Sequence, residues 1–406
     1  MKRFLAVAMA TVMLLSLSVA AYALSDQNYP INIEDMDYYQ RFQGQDVEIN
    51  VYNWGEYLAN DPVDFIDVNA IFEELTGIKV NYTLFASNEE LYAKMKAGGT
   101  NYDVIVPSDY MIGRMIKEGM LQKLDYSNIP NYKYIGEQYK NTNFDPNNEY
   151  SVPIYWGVVG IIYNKTMVDP SEIKGWDILW DKDYAGNILM FSNSRDAFAL
   201  SLLDLGYSFN TTDEKELREA ADHLIEQKPL VQAYVMDEIY DKMEGGEAAI
   251  APYYNGDAVL MMKENKDLDF YMPKDTSMFV DSFCVPATSE NREAAEMYIN
   301  FMCETDVAAA NSIFVGYSTP QTEAYKKLDE DLRDNIVAYP DVTGLQSMLT
   351  LPEETNTLID GLWTETIASN SGNSPWLFVL LIVGLLAAAV TIVLVRRAQK
   401  RKKNMY

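Results

Sequence analysis

Sixty acidic side chains, one histidine and two cysteines bound the chemistry open to this 406-residue chain. His223 is too little imidazole for a multi-histidine metal centre, and a helix-surface position suits it poorly to a histidine-based triad. His223 reads instead as a surface residue of the helical stretch 214–226. The sequence has no G-x-x-x-x-G-K-[ST], no G-x-S-x-G and no H-E-x-x-H, the motifs of phosphate cradles, nucleophile elbows and zinc-protease helices. Cys284 sits in an apolar strand-like segment and Cys303 in a helical one; outside the cytoplasm they could pair, and two buried free thiols is the other reading. What the chain has in abundance is negative charge. Its net charge is −28, and eight of its 32 basic residues lie at the ends (Lys2, Arg3, Arg396, Arg397, Lys400, Arg401, Lys402 and Lys403). Setting those eight aside leaves −36 on residues 24–375. Such a field repels nucleic acid and anionic surfaces and gathers cations. The inventory favours binding of a cation over catalysis, with no cofactor, no metal and no nucleic-acid partner.

The ends speak to the compartment. Lys2 and Arg3 precede an apolar stretch over 4–20, and Ala21-Tyr22-Ala23 is a small-x-small site, the grammar of a secretory signal peptide over 1–23. An uncleaved N-terminal anchor is the alternative, and either way the body lies outside the cytoplasm. At the far end, residues 376–395 form an uncharged and largely apolar run, long enough to span a hydrocarbon core of roughly 30 Å. The basic tail 396–406 follows it and orients it by the positive-inside rule. These features predict a linker at 369–375, a C-terminal transmembrane helix at 376–395, and a single-pass anchored body on the outer face of the membrane.

The body must supply a scaffold. After a polar and acidic extension over 24–45, Val47, Ile49 and Val51 alternate as a half-buried strand would. Phe65, Val68, Ile71, Phe72 and Leu75 recur at helical spacing, with Gly77 as a C-cap. Residues 78–84 read as a strand, Ser87 and Glu90 make a capping box for a helix to Ala97, and 102–106 is the next strand. The pattern resumes with strands at 158–163, 187–191, 248–251 and 282–285 and helices at 195–205, 214–226 and 292–302. Trp176 and Trp180 suggest a structural helix stripe, and Trp156 lies near a crossover between halves. Strands alternating with helices imply an α/β protein with a parallel or mixed sheet covered on both faces. The length suits two lobes, and a cleft between lobes is a favoured place for a small ligand.

Several motifs then fall in order: Val51-Tyr52-Asn53-Trp54-Gly55-Glu56-Tyr57, Tyr102-Asp103-Val104-Ile105-Val106-Pro107-Ser108-Asp109-Tyr110, Val152-Pro153-Ile154-Tyr155-Trp156-Gly157, Leu205-Gly206-Tyr207-Ser208 and Gly316-Tyr317-Ser318-Thr319-Pro320. From about Val47 to about Asp341 this series resembles the spermidine/putrescine-binding proteins of ABC importers. The resemblance implies a two-lobed, type II-like periplasmic-binding-protein fold. It places lobe 1 at 46–156 and 280–325 and lobe 2 at 157–279 and 326–368. It also implies a permease and its ATPase subunit as partners, and no enzymatic activity.

The resemblance further implies a ligand-binding set: Trp54, Glu56, Ser108, Tyr110, Asp196, Tyr254, Asp257, Phe279, Asp281 and Tyr317. Asn193 stands where spermidine binders carry an acid, and Asp257 matches an aspartate of putrescine-type members. A polyamine is a flexible methylene chain with an ammonium at each end. Each desolvated ammonium needs acceptors, because an unpaired buried charge is very costly. Asp196, Asp257 and Asp281 can supply counter-charge, with Glu56 as a fourth, while Ser108, Tyr110 and Tyr317 complete the shells. Trp54, Tyr254 and Phe279 can wall the methylenes and attract the cations, by about 0.5–2 kcal/mol each. Taken singly these residues have plainer readings: Trp54 as core, Asp257 and Asp281 as turn or cap residues, Asp196 as a first-turn helix carboxylate. A receptor for another small cation, a sensor ectodomain and a carboxylate-pair hydrolase are the competing functions.

Overall fold

Alternation at Ile49 and Val51 becomes strand β1 (Glu48–Trp54), with both side chains fully buried. The computed structural model describes residues 29–99 and 101–369. β1 runs parallel to β2 (Lys79–Phe85) and to the short β3 (Val104–Ile105). Between β1 and β2 lies the helix Val68–Thr76, which buries Val68, Ile71, Phe72 and Leu75 and ends at Gly77 in the left-handed region at φ 75°. The next helix, Asn88–Ala97, begins with Ser87 Oγ accepting from the Glu90 amide at 3.1 Å. Glu90 Oε2 reaches back to the Ala86 amide at 2.9 Å, so two end donors are satisfied reciprocally.

Seven further strands complete the sheet: β4 (Ser151–Asn164), β5 (Ile188–Phe191), β6 (Val231–Val235), β7 (Ile250–Tyr254), β8 (Leu268–Tyr271), β9 (Ser277–Cys284) and β10 (Gln346–Ser347). Their order is β2-β1-β3-β9-β4-β7-β5-β6, with β10 beside β9 and β8 beside β4. β4 joins the two lobes. All 14 of its residues are buried. Its first half pairs antiparallel with β9 and its second half with β7 and β8. One hydrophobic core forms around β1–β3 and a second around β5–β7, and the membership changes along β4 between Trp156 and Val159. Trp54 and Tyr254 pack against both cores. At the change of lobe Gly157 is required, since a Cβ there would lie 2.4 Å from Asn255 Oδ1 and 2.7 Å from Phe279 Cζ.

The described part of the acidic extension belongs to the first lobe. Ile31, Ile33 and Tyr39 are buried in its core, and Tyr39 donates to Glu304 Oε1 at 2.7 Å. His223 is less exposed than a surface helix residue would be. Its ring stacks 4.3 Å from that of Trp180, and its Nε2 lies 2.6 Å from Asp204 Oδ2. Trp176–Trp180 is a 3-10 turn that buries Trp176. Cys284 and Cys303 are free and buried.

The predicted C-terminal transmembrane helix is corrected. Among the described residues no helix is long and apolar enough to cross a membrane. The last one, Glu353–Ala368, has 16 residues, carries Glu353, Glu354, Asp360 and Glu365, and buries Ile359 and Leu362 in the second core. The fold is therefore the two-lobed α/β architecture without a spanning helix among these elements. The predicted segments at 1–23, 370–375, 376–395 and 396–406 lie outside the described residues.

Candidate functional site

Where the C-terminal ends of β1 and β7 meet the middle of β4 and the first part of β9, a cavity opens between the lobes. Trp54 closes β1 and faces this space. Its indole Nε1 donates to the Val106 carbonyl at 2.8 Å, and its ring lies 4.5 Å from that of Phe85, which fixes its plane. Across the cavity Phe279 of β9 meets Tyr254 edge-on at 5.4 Å and Tyr317 at 6.2 Å. These rings form an apolar box in which Trp54 is tied to backbone and Tyr254 and Tyr317 to the carboxylates of Asp196 and Asp257, so little ordering entropy remains to be lost on binding.

Inside the box the carboxylates are held by tyrosines. Asp257, in the first turn of the helix Asn255–Glu264, accepts from Tyr240 at 2.6 Å on Oδ1 and from Tyr317 at 2.7 Å on Oδ2. Asp196, in the first turn of the helix Ser194–Asp204, accepts from Tyr254 at 2.9 Å, and its amide is capped by Asn193 Oδ1 at 2.9 Å. Asp281 projects from β9 and takes the Tyr57 hydroxyl on Oδ2; its Oδ1 is buried with no partner. Ser108 is clamped by Asn88, which accepts from its amide at 3.1 Å and donates to its Oγ at 3.0 Å. The Tyr110 ring lines the cavity, and its hydroxyl points back to Glu89 Oε1 at 2.9 Å.

Asp196, Asp257 and Asp281 are 8%, 9% and 4% exposed. Burial pushes Asp257 up to about 7, against the tyrosine hydrogen bonds that hold it down and with the neighbouring Asp237 and Asp281 adding to the rise. Burial likewise pushes Asp281 up to about 6 and raises Asp196. Behind them Asp109 is raised well above the carboxylate range by burial, and Glu89 to about 7. The buried Arg195 answers this charge in part. Its Nη2 is held by Asn210 Oδ1 at 3.2 Å and the Leu349 carbonyl at 3.3 Å. Among the described residues no three acidic, histidine or cysteine side chains converge as a metal shell would. Asp196, Asp257 and Asp281 all line the same cavity.

Nine of the ten predicted site residues line this one cavity; Glu56 is exposed beside it and does not. Tyr57, Asn88, Met236, Asp237 and Met348 line it as well and were not expected from the sequence. Tyr57 lay within the Trp54-Gly55-Glu56-Tyr57 motif, and that proximity was the available signal. Asp237 follows β6, a strand without marked periodicity, and nothing in the sequence set it apart.

Gly256 packs face-on to the Tyr317 ring, and a Cβ there would lie 2.3 Å from Tyr317 Cδ2. Gly256→Ala is expected to displace Tyr317 from Asp257. Overpacking of this kind costs about 1–3 kcal/mol. Thermal melting should fall by several degrees, and ligand affinity should fall with it. An unchanged melting curve would show that the ring has room to shift.

A family model described as bacterial extracellular solute-binding protein matches residues 68–342. The spermidine/putrescine-binding periplasmic protein of Escherichia coli (strain K12) is 37% identical over 298 residues, covering 73% of this chain and 84% of that one. A putrescine-binding periplasmic protein of Pseudomonas aeruginosa is 29% identical over 339 residues, covering 78% and 91%. Among solved structures, a putative spermidine/putrescine ABC transporter from Listeria monocytogenes superposes with a TM-score of 0.75 at 36% identity, covering 79% of this chain and 99% of that one.

Proposed function

The chain belongs to the bacterial extracellular solute-binding proteins, and from that membership we propose that it is the receptor component of an ABC-type polyamine importer. It binds putrescine, spermidine or both between its lobes and hands them to a permease driven by an ATPase subunit. It is a binding protein and not an enzyme. The basic and apolar start over 1–23 agrees with an extracytoplasmic place of work.

One observation carries the reading: tyrosine-held carboxylates from both lobes face a common aromatic box, and one of their oxygens, Asp281 Oδ1, is buried without a partner. A lone buried acceptor of this kind is costly until a donor arrives, and an ammonium brings both the donor and the counter-charge. Methylenes between two ammoniums then lie along Trp54 and Phe279. Because the acids come from both lobes, a bound polycation favours the closed arrangement, a hinge motion about β4 and β9.

Calorimetric titration with putrescine and with spermidine should show saturable binding in the micromolar range or tighter, near −8 kcal/mol or beyond. A panel of monoamines, amino acids and sugars should give no comparable heat, since each would leave carboxylates unpaired. Folded protein that takes up neither polyamine would remove this function.

A further inference from the structure

Asp257 is gripped differently from the other two inner acids. Its Oδ1 accepts from the Tyr240 hydroxyl at 2.6 Å and its Oδ2 from the Tyr317 hydroxyl at 2.7 Å. Tyr317 belongs to the first core, whereas the helix Asn255–Glu264 that carries Asp257 buries Ala258 and Met261 in the second. Tyr240 stands on the short helix Ile239–Glu244, which Ile239 and Met243 pin in that same second core. Asp257 thus holds one tyrosine from each lobe. Asp281 takes Tyr57 from its own lobe, and Asp196 takes Tyr254 from its own. The Tyr240 side chain lies outside the lining of the cavity and reaches the carboxylate from behind. Burial raises its hydroxyl above the ordinary value and the charge of Asp257 adds to that rise, so the group keeps its proton and donates.

We propose that Tyr240 is a positioning residue for ligand capture, which keeps the Asp257 carboxylate aimed into the cavity and ready for an ammonium while the lobes are apart. The inference rests on the polyamine reading of the inner site. Parting the lobes withdraws Tyr317 from Asp257 and leaves Tyr240, which travels with the same lobe. Without Tyr240 the open site would hold this carboxylate with neither tyrosine. Burial, and then Asp237 and Asp281, already raise the Asp257 carboxyl, and the Tyr240 hydrogen bond is the largest influence holding it down. Glu56 and the neutral Tyr57, Tyr253 and Tyr317 complete the titratable groups around the pair. A donor to the ionised form favours that form, so one hydroxyl decides how much of this acid is charged when the guest arrives.

The test is calorimetric titration of putrescine into the full-length protein, Y240F, D257N and the double variant, at pH 6 and at pH 8.5. Phenylalanine keeps the ring and removes only the donor. Y240F is expected to bind about tenfold more weakly than the parent at pH 6 and less than about twofold more weakly at pH 8.5, since losing this bond moves Asp257 up by about one pH unit. In the D257N background the same substitution should change affinity less than about twofold at either pH. Equal losses at both pH values would mark a merely structural role and overturn the proposal. So would an unchanged affinity at pH 6, or a loss that persists in D257N. Tyr240→Met, which also lacks the hydroxyl, is judged by the same outcomes should Y240F fail to fold. A parent that binds no polyamine fails the polyamine reading itself, and the positioning role with it.

Discussion

Asp281→Asn is expected to weaken putrescine and spermidine binding by about 30- to 5,000-fold. Removing one partner from a buried, hydrogen-bonded charge pair costs about 2–5 kcal/mol, much of it because the other charge is left uncompensated. Asp281 is 4% exposed, takes the Tyr57 hydroxyl on one oxygen and has nothing on the other. The asparagine amide keeps the shape and loses the charge. The ligand-free protein should not suffer. A buried carboxylate with an unmatched oxygen is unfavourable in the empty cavity, so D281N should melt at the same temperature or higher at pH 8. Calorimetry and a melting curve on the same sample separate the two effects. Affinity within threefold of the parent would take Asp281 out of the site.

The second large effect is on pH. Polyamine affinity should fall about a thousandfold between pH 8 and pH 5. Burial places Asp257 at about 7 and Asp281 at about 6 in the empty cavity, while the amines of the guest stay protonated throughout. At pH 5 the guest must displace a proton from each, at roughly a hundredfold for Asp257 and tenfold for Asp281. The groups facing these acids are Tyr240, Tyr317 and Asp237 around Asp257, and Tyr57, Ser108 and Asp196 around Asp281. The tyrosines stay neutral over this range, because burial raises them further. Asp196, also raised by burial, steepens the fall. Stability of the empty protein carries the opposite sign. Carboxyls with raised folded values contribute stability that is full below about 4 and lost as pH rises through 6 to 7. The empty receptor should therefore lose this contribution between pH 5 and 8 while the ligand-induced rise in melting temperature grows. Titrations in buffers of different ionisation heat should show protons released on binding at pH 6.5. Affinity flat from pH 5 to 8 would contradict the protonation of these acids.

The parts of this architecture that local chemistry dictates were legible before any coordinates. Ser87 with Glu90, Gly77 after its helix and the alternation of Ile49 and Val51 act within a few residues of themselves, and each forms the element it signals. Other elements depend on distant partners. β4 begins at Ser151, seven residues before the predicted strand, because its first half owes its pairing to β9 and not to its own periodicity, which Pro153 interrupts. β3 shrinks to Val104–Ile105 for the converse reason, since β1 pairs with only that much of it. The cavity-lining aromatics and inner acids were reached through ordered motifs. Asp237, Tyr240 and Met348 come into place through folding alone, from segments whose sequence carries no comparable signature. The last described helix shows the same limit. Its Glu353, Glu354 and Glu365 are exposed while Asp360 accepts from Ser194, a division that becomes clear only once the neighbouring helices Ser194–Asp204 and Glu214–Gln227 are in view.

The claim on which the rest depends is that buried acids from both lobes are neutralised by an elongated polycation enclosed in rings. The most direct measurement is a crystal structure of the protein with bound putrescine at pH 8. The account expects one ammonium nitrogen within about 3 Å of Asp281 Oδ1 and the methylenes between Trp54 and Phe279. A diamine seated elsewhere, with Asp281 Oδ1 still unpaired and the aromatic box empty, would contradict it.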